Sequence, residues 1–494
     1  MKLLGAAAAA LAGTVVLLLL LEAGFRGSRL LPCGPGPAVH PSGVFELWAS
    51  GDSTMAGDVF SDSVALPALV SRALGGSVGG RRIEIAPLAR AGTTTYAQAE
   101  RLEIDLHCRE RSNPGLLLVY VGHNDIGSKE PATWDERLEA ALSWSRLARR
   151  ALYRMREHGR FVRKRSRAFH ERSLRRALAA ARAYGLPVVL AIPAGNLVDV
   201  DPGLPDASGR AMADLDAAEA AARAGDDARA LELYAIAEKR SPGDAAYIAH
   251  GRGLLHLRAG RLDEARRDLT LARDLDADDG FRRATTAQND SLRRLAAEEG
   301  ARLVDAEKLF AERSRGGLPD QTWFIDGQHP NEAGMAVLAD AFAAQAAAAL
   351  QVPVQRRFSD PQEDGIGLDV SGREEGYLDA GRWFFSVAVT HARPSRRLAL
   401  SRERFREAGA LCPGDLSAAL GSALAQAADT KGFLKPFVEE APGLKGFDPF
   451  YGKRFEVPPG ALPELVELLA GAGVPAPLLA EIERPRTSAP CAAR

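Results

Sequence analysis

The strongest constraint on the fold is a set of five short runs rich in apolar and β-branched residues. They lie at 44–49, 82–87, 116–121, 187–192 and 302–304 and are separated by longer stretches of helical character. The continuous run 116–121 does not show the in-and-out alternation of a half-exposed strand, so it predicts a strand buried on both faces. Strands of that kind alternating with helices predict an α/β domain with a parallel sheet covered on both sides. In such a sheet, working residues gather beyond the carboxyl ends of the strands. Ser53 follows the first run, Gly92 the second and Asn124 the third, so three distant segments point to one rim.

Ser53 sits in Gly51-Asp52-Ser53. A serine hydroxyl becomes a useful nucleophile only when a base takes its proton, and the suitable base is a histidine held by a carboxylate. Such a pair occurs late in the chain as Asp326-Gly327-Gln328-His329. The three-residue spacing lets one turn present both side chains on the same side. An apolar helix is expected over 335–350, directly after the pair. Acyl transfer also needs donors for the oxyanion that develops at the carbonyl. The backbone N–H groups of Ser53 and Gly92 and the side-chain amide of Asn124 are the candidates. The competing readings are ordinary structural ones: Ser53 and Asn124 as helix caps, Gly92 as a turn glycine and His329 as a capping histidine. Asp125 is expected to hold its loop by hydrogen bonds.

These four blocks, Gly-Asp-Ser at 51–53, Gly92, Gly-His-Asn-Asp at 122–125 and Asp-x-x-His at 326–329, resemble in order and spacing those of the SGNH, or GDSL-type, hydrolase superfamily. The resemblance covers roughly residues 43–200 and 285–350. It implies a three-layer α/β/α sandwich of flavodoxin type with a central parallel sheet of about five strands. It also implies Ser53 as nucleophile, His329 as base, Asp326 as its orienter, and Gly92 and Asn124 in the oxyanion hole. No metal or cofactor is implied. One departure is His123, where a small or polar residue is more usual, and a narrower pocket is the expected consequence.

The remaining segments set the context. Lys2 precedes an uncharged apolar run over 3–21, long enough to span a hydrocarbon core of about 30 Å as a helix. Residues 1–24 are expected to be a signal anchor, or else a cleaved signal peptide. Residues 25–42, rich in Pro and Gly, form the linker. The catalytic region is then expected outside the cytoplasmic membrane, tethered or secreted. The hydrolase domain is assigned to 43–209 and 281–352. Between these parts, 225–244 and 260–279 align at a period of 35 residues, with small residues at matching positions: Gly225 with Gly260, Ala230 with Ala265, Ala237 with Ala272 and, upstream, Ala218 with Gly253. That pattern resembles the tetratricopeptide repeat, so 210–280 is expected to be an inserted helical module that can dock a protein partner. The helical segment at 287–299 either caps that module or belongs to the sheet. Residues 353–494 are expected to form a mostly helical extension without a chemical motif.

With 63 Lys and Arg against 64 Asp and Glu the net charge is −1, which excludes a general electrostatic nucleic-acid binder. A basic stretch over 146–182 is read either as an anionic-lipid contact or as a solvated helix face. Cys33, Cys108, Cys412 and Cys491 form no metal-ligand pair, and the sequence does not decide whether any of them bridge. The function that follows is a serine esterase acting on a small ester, a lipid or a polysaccharide, such as O-acetyl esters of envelope carbohydrate. The alternatives are an O-acyltransferase using the same serine and an interaction scaffold built on the repeats.

Overall fold

A computed structural model describes residues 41–107, 112–125, 133–142, 166–204, 212–276, 283–360, 365–388, 391–431 and 454–484, apart from isolated positions, with scattered residues elsewhere. Nearly all of the expected anchor and linker, and the first half of the basic stretch, lie outside the described residues.

The sheet has six strands: β1 (Phe45–Gly51), β2 (Ser77–Val78), β3 (Arg81–Pro87), β4 (Gly115–Tyr120), β5 (Val188–Ile192) and β6 (Arg302–Asp305), in the order β2-β3-β1-β4-β5-β6. Each expected strand is present, and β1, β3, β4, β5 and β6 pair in parallel. The expectation of an all-parallel sheet of about five strands needs one correction. The two-residue β2 adds an antiparallel edge beside β3. It is a tight hairpin in which Gly79 and Gly80 both adopt positive φ, and two residues leave no periodicity to read. Without it, the strand order is 2-1-3-4-5, whose direction reverses between β1 and β4.

Alternate residues of the strands enter two separate cores. Phe45, Leu47 and Ala49 of β1, with Leu116, Leu118 and Tyr120 of β4, face one core together with the Leu66–Ala73 and Glu332–Leu350 helices. Trp48, Leu117, Val119 and Leu190 face the other, against Thr95–His107, Arg167–Ala183 and Thr286–Glu299. Helices therefore cover both faces, as continuous apolar strands require. Thr286–Glu299 belongs to the sheet: Leu292 and Leu295 pack on it, and a capping box of Thr285 and Gln288 starts the helix. Among the described residues, Glu332–Leu350 is long and apolar enough to cross a membrane, but its Met335, Leu338 and Phe342 are buried in the core.

The inserted segment forms two helical pairs, Met212–Arg223 with Asp227–Arg240 and Ala245–Arg258 with Leu262–Leu275. The small residues serve the close approach expected of them. Ala218, Ala230, Ala237, Ala265 and Ala272 are buried, and a Cβ on Gly253 would lie 2.7 Å from Leu269 Cγ. In the described half of the basic stretch, Arg175 and Arg182 pair with Glu298 and Glu299, and Arg176 with Glu100, Glu103 and Glu139. These guanidiniums join neighbouring helices.

Where described, the extension is irregular up to residue 369 and mostly helical beyond it, over Val370–Ala388, Ser395–Leu411, Leu416–Lys431, Leu462–Gly471 and Ala476–Glu483. It has a core of its own around Phe405, Leu420 and Leu424. Cys412 is disulfide-bonded, and the other three cysteines lie outside the described residues. Arg397, fully buried, anchors the extension to the loop after β5. Its Nε meets Asp201 Oδ1 at 3.1 Å, one terminal nitrogen donates to the Asp201 carbonyl at 2.9 Å, and the other to Val387 O at 3.1 Å. Arg373 makes a second tie, its Nε 2.8 Å from Glu332 Oε2. Removing one partner of a buried ion pair strands the other charge in a low dielectric. Arg397→Ala is therefore expected to destabilise the protein by about 3–5 kcal/mol, read as a lowered midpoint in urea unfolding. A loss below about 1 kcal/mol would show that the pair is a surface contact in energetic terms.

Candidate active site

β1 ends at Gly51, where a Cβ would lie 2.6 Å from the Tyr120 carbonyl of β4. Only glycine allows the strands to stay this close before the chain turns. The turn leads directly into the short Ser53–Ala56 helix, and Asp52 caps it by accepting from Thr54 N at 3.2 Å. Ser53 thus stands at the first helical position, where the backbone N–H has no intrahelical acceptor. A left-handed Gly57 ends the helix, and Asp58 N donates to the Ser53 carbonyl.

The late Asp-x-x-His segment forms a closed turn. Ile325 N donates to His329 O at 2.9 Å, and Phe324 bridges to Pro330. Asp326 Oδ1 accepts from the backbone N–H groups of Gln328 and His329, both at 2.8 Å, which fixes the carboxylate before it meets the ring. Asp326 Oδ2 lies 2.6 Å from His329 Nδ1, and His329 Nε2 lies 2.6 Å from Ser53 Oγ. Asn331 then caps the Glu332–Leu350 helix by accepting from Gly334 N, so the turn is held against a helix rooted in the core. The capping role that was the alternative for His329 belongs to Asn331.

Gly92 lies on the same pocket wall with a φ of 68°, a left-handed conformation that favours glycine. Its loop is tied to the end of β1: Arg90 N and Thr93 Oγ1 both donate to the Gly51 carbonyl. Asn124, buried, lines the pocket from the far side of the β1–β4 junction. The structure therefore gathers Ser53, Gly92, Asn124, Asp326 and His329 around one cavity of about 360 Å³. Asp125 holds the loop as expected, accepting from Thr95 Oγ1 at 2.6 Å. His123 does not narrow the pocket. It is buried beside the Tyr120 ring, with centroids 5.8 Å apart, and is not among the lining residues.

The electrostatics favour a charged imidazole. Burial pushes the His329 ring down, but the Asp326 carboxylate outweighs it, and with Asp52 and Asp379 adding to the pull the pKa rises to about 9. Asp326 is held below the ordinary carboxylate range: burial opposes ionisation, but the imidazole and the two backbone N–H groups overcome it. Asp52, fully enclosed, is pushed up to about 7 by burial against the opposing pull of His329.

Other lining residues come from places the sequence did not mark. Val59, at a φ of 87°, is a β-branched residue in left-handed backbone at the pocket wall. Strain of this kind persists only where the surroundings hold it. Gln328, Asp379, Ala380 and Trp383 also line the cavity. The last three lie on the Val370–Ala388 helix of the extension. Gln328 stands inside a recognised motif and was open to notice. The helix residues carry no local signal.

No family model and no curated relative matches the chain. Among solved structures, a lipolytic protein of the G-D-S-L family from Veillonella parvula aligns at 11% identity and TM-score 0.31, covering 60% of this chain and 96% of that one. A GDSL-like lipase from Bacteroides thetaiotaomicron aligns at 11% identity and TM-score 0.29, covering 62% and 87%. A catalytic mutant of an acetylxylan esterase from Geobacillus stearothermophilus aligns at 15% identity and TM-score 0.32, covering 64% and 98%. With identities this low and TM-scores of about 0.3, the chemistry has to be read from this chain's own residues.

An imidazole must be neutral to accept a proton from serine. Because the His329 pKa is raised, the neutral fraction grows as pH climbs through about 9. The acid limb of kcat/KM for p-nitrophenyl acetate is therefore expected near pH 9. Asp326→Asn removes the main upward influence and the orienting contact, so it is expected to move that limb to lower pH while kcat falls by about 10⁴-fold. A wild-type limb at the ordinary histidine value would show that the surrounding carboxylates do not lift the ring.

Proposed function

We propose that the chain is a serine ester hydrolase of the SGNH, or GDSL, type, working through Ser53, His329 and Asp326 on acyl esters of carbohydrate or lipid. The observation that carries this reading is the continuous chain of contacts from Asp326 through His329 to Ser53, each 2.6 Å long, at a cavity that Gly92 and Asn124 also line.

The chemistry follows from these positions. Ser53 Oγ attacks the ester carbonyl as its proton passes to His329 Nε2. The N–H groups of Ser53 and Gly92 and the Asn124 amide receive the negative charge on the carbonyl oxygen. His329 returns the proton to the departing alcohol, leaving an acyl group on Ser53. Water then attacks that carbonyl, giving its proton to His329, and the acid leaves as Ser53 regains its hydrogen. Asp326 keeps the ring in the tautomer that presents Nε2 to serine and steadies the imidazolium. An acceptor hydroxyl in place of water would turn the same acyl-enzyme to transfer, so product analysis distinguishes the two outcomes.

We place the catalytic domain on the extracytoplasmic side, held by the N-terminal apolar segment. The disulfide at Cys412 supports an oxidising compartment. The inserted helices are the candidate docking module for a protein partner.

A fluorophosphonate probe is expected to label Ser53 alone, and Ser53→Ala to lose both labelling and at least about 10³-fold of p-nitrophenyl acetate turnover. Unlabelled wild-type protein with intact fold would overturn the assignment. Across p-nitrophenyl esters of rising chain length, the small cavity is expected to give highest kcat/KM with the shortest acyl groups.

A further inference from the structure

We infer that Gln328 sets the specificity of this site: its side-chain amide takes up the hydroxyl next to the ester oxygen, so the favoured alcohol is a polyol acylated at one of two neighbouring hydroxyls. The inference rests on the hydrolase reading above and narrows its substrate class.

The backbone of Gln328 is fixed and its side chain is left unengaged. Its N–H donates to Asp326 Oδ1 at 2.8 Å, inside the turn that carries His329. Asn196 N donates to the carbonyl of Gly327, the residue before it, at 3.0 Å, which ties the turn to the loop after β5. The side chain, only 6% exposed, belongs to the wall of the cavity that holds Ser53 and His329. Its amide oxygen is enclosed and accepts no hydrogen bond. An enclosed amide costs stability for as long as it stays unmet, whereas an apolar side chain of similar size would carry no such cost. Asp52 and Thr54 hold enclosed oxygens of the same kind, but neither lines the cavity. Gln328 does, and there a ligand can supply what the protein does not.

The path of the proton says which part of the ester this is. His329 Nε2 hands its proton to the departing oxygen, so the alcohol lies on the His329 side of the scissile bond. The carbonyl oxygen is turned instead to Ser53 N, Gly92 and Asn124. Gln328 is the neighbour of His329 on one turn and lines the same cavity, so a group on the carbon next to the ester oxygen comes within its reach. The last torsion of a glutamine is broad, and either end of the amide can turn to the ligand. A hydroxyl answers both ends through a single atom, donating to the oxygen or accepting from the nitrogen. Asp58 adds an exposed carboxylate to the same lining. A carboxylate only accepts, so a further hydroxyl satisfies it and an ether or a hydrocarbon does not. The Val370–Ala388 helix bounds the cavity, seated where a Cβ on Gly376 would stand 2.5 Å from the Phe60 ring. The volume that remains, about 360 Å³, is near the small end of ligand sites and suits a short acyl group on a small polyol unit.

The test measures kcat/KM of the full-length protein on matched esters. Propyl acetate is the reference, 2-hydroxyethyl acetate puts a hydroxyl in place of the terminal methyl of its alcohol, and propyl glycolate puts one on its acyl group. Wild type is expected to favour 2-hydroxyethyl acetate over propyl acetate by about tenfold or more, because the analogue without the hydroxyl leaves the amide unmet. Gln328→Leu should bring that ratio to about twofold or less. Gln328→Glu, which keeps an acceptor at the same reach, should retain more of it than leucine does. The ratio within each variant cancels any general loss of activity. A wild-type ratio within about twofold, an unchanged ratio in Gln328→Leu, or a preference that follows propyl glycolate would each overturn the inference. If p-nitrophenyl acetate turnover is still lost in Ser53→Ala in that case, the hydrolase reading survives and only the specificity fails. If wild type turns over none of these esters, both fail together.

Discussion

The contact between Ser53 Oγ and His329 Nε2 joins residues 276 positions apart, and the rest of the structure depends on keeping it at hydrogen-bond length. A loop could not do so alone. Ser53 is fixed because β1 is buried between β3 and β4, and His329 because its turn is closed on itself and followed by a capped helix rooted in the same core. Both rest on one hydrophobic cluster, which includes Leu47 and Ala49 from the strand and Met335 and Leu338 from the helix. Packing of that core sets the geometry of the Ser53–His329 contact.

The same closeness concentrates negative charge. Asp52, Asp326 and Asp379 all act on a single imidazole. Their sum favours the imidazolium, which in the proposed mechanism helps the transition state. It also disfavours the neutral ring that must begin the reaction. Asp52, whose ionisation burial brings to about pH 7, is charged where the ring titrates near 9 and so adds to that pull.

The sequence carried much of this, and the parts it missed have physical causes. The strands were legible because burial on both faces demands continuous apolar residues, and Leu116–Leu118 leave little choice. The proposed triad was legible because its residues sit in two compact segments, one turn each. Gly92 was legible as a site residue, and its left-handed φ now gives the reason for its identity. The β2 edge was invisible because two residues have no period. Asp379 and Trp383 were invisible for a different reason. They reach the cavity only because Arg397 meets Asp201, Arg373 meets Glu332 and Gly376 meets Phe60. None of these pairs is close in sequence, and an aspartate and a tryptophan on a helix look like any other surface pair. The local pattern that names His123 as unusual likewise could not say that it turns toward Tyr120.

The seating of Gly376 on Phe60 bears on when the protein becomes competent. The ribosome releases Ser53 early, His329 much later, and the helix that closes the pocket later still. A nascent chain that has made its first three parallel strands presents a serine with no base and no far wall. The proposed site is therefore complete only once His329 and the Val370–Ala388 helix have both been made and docked.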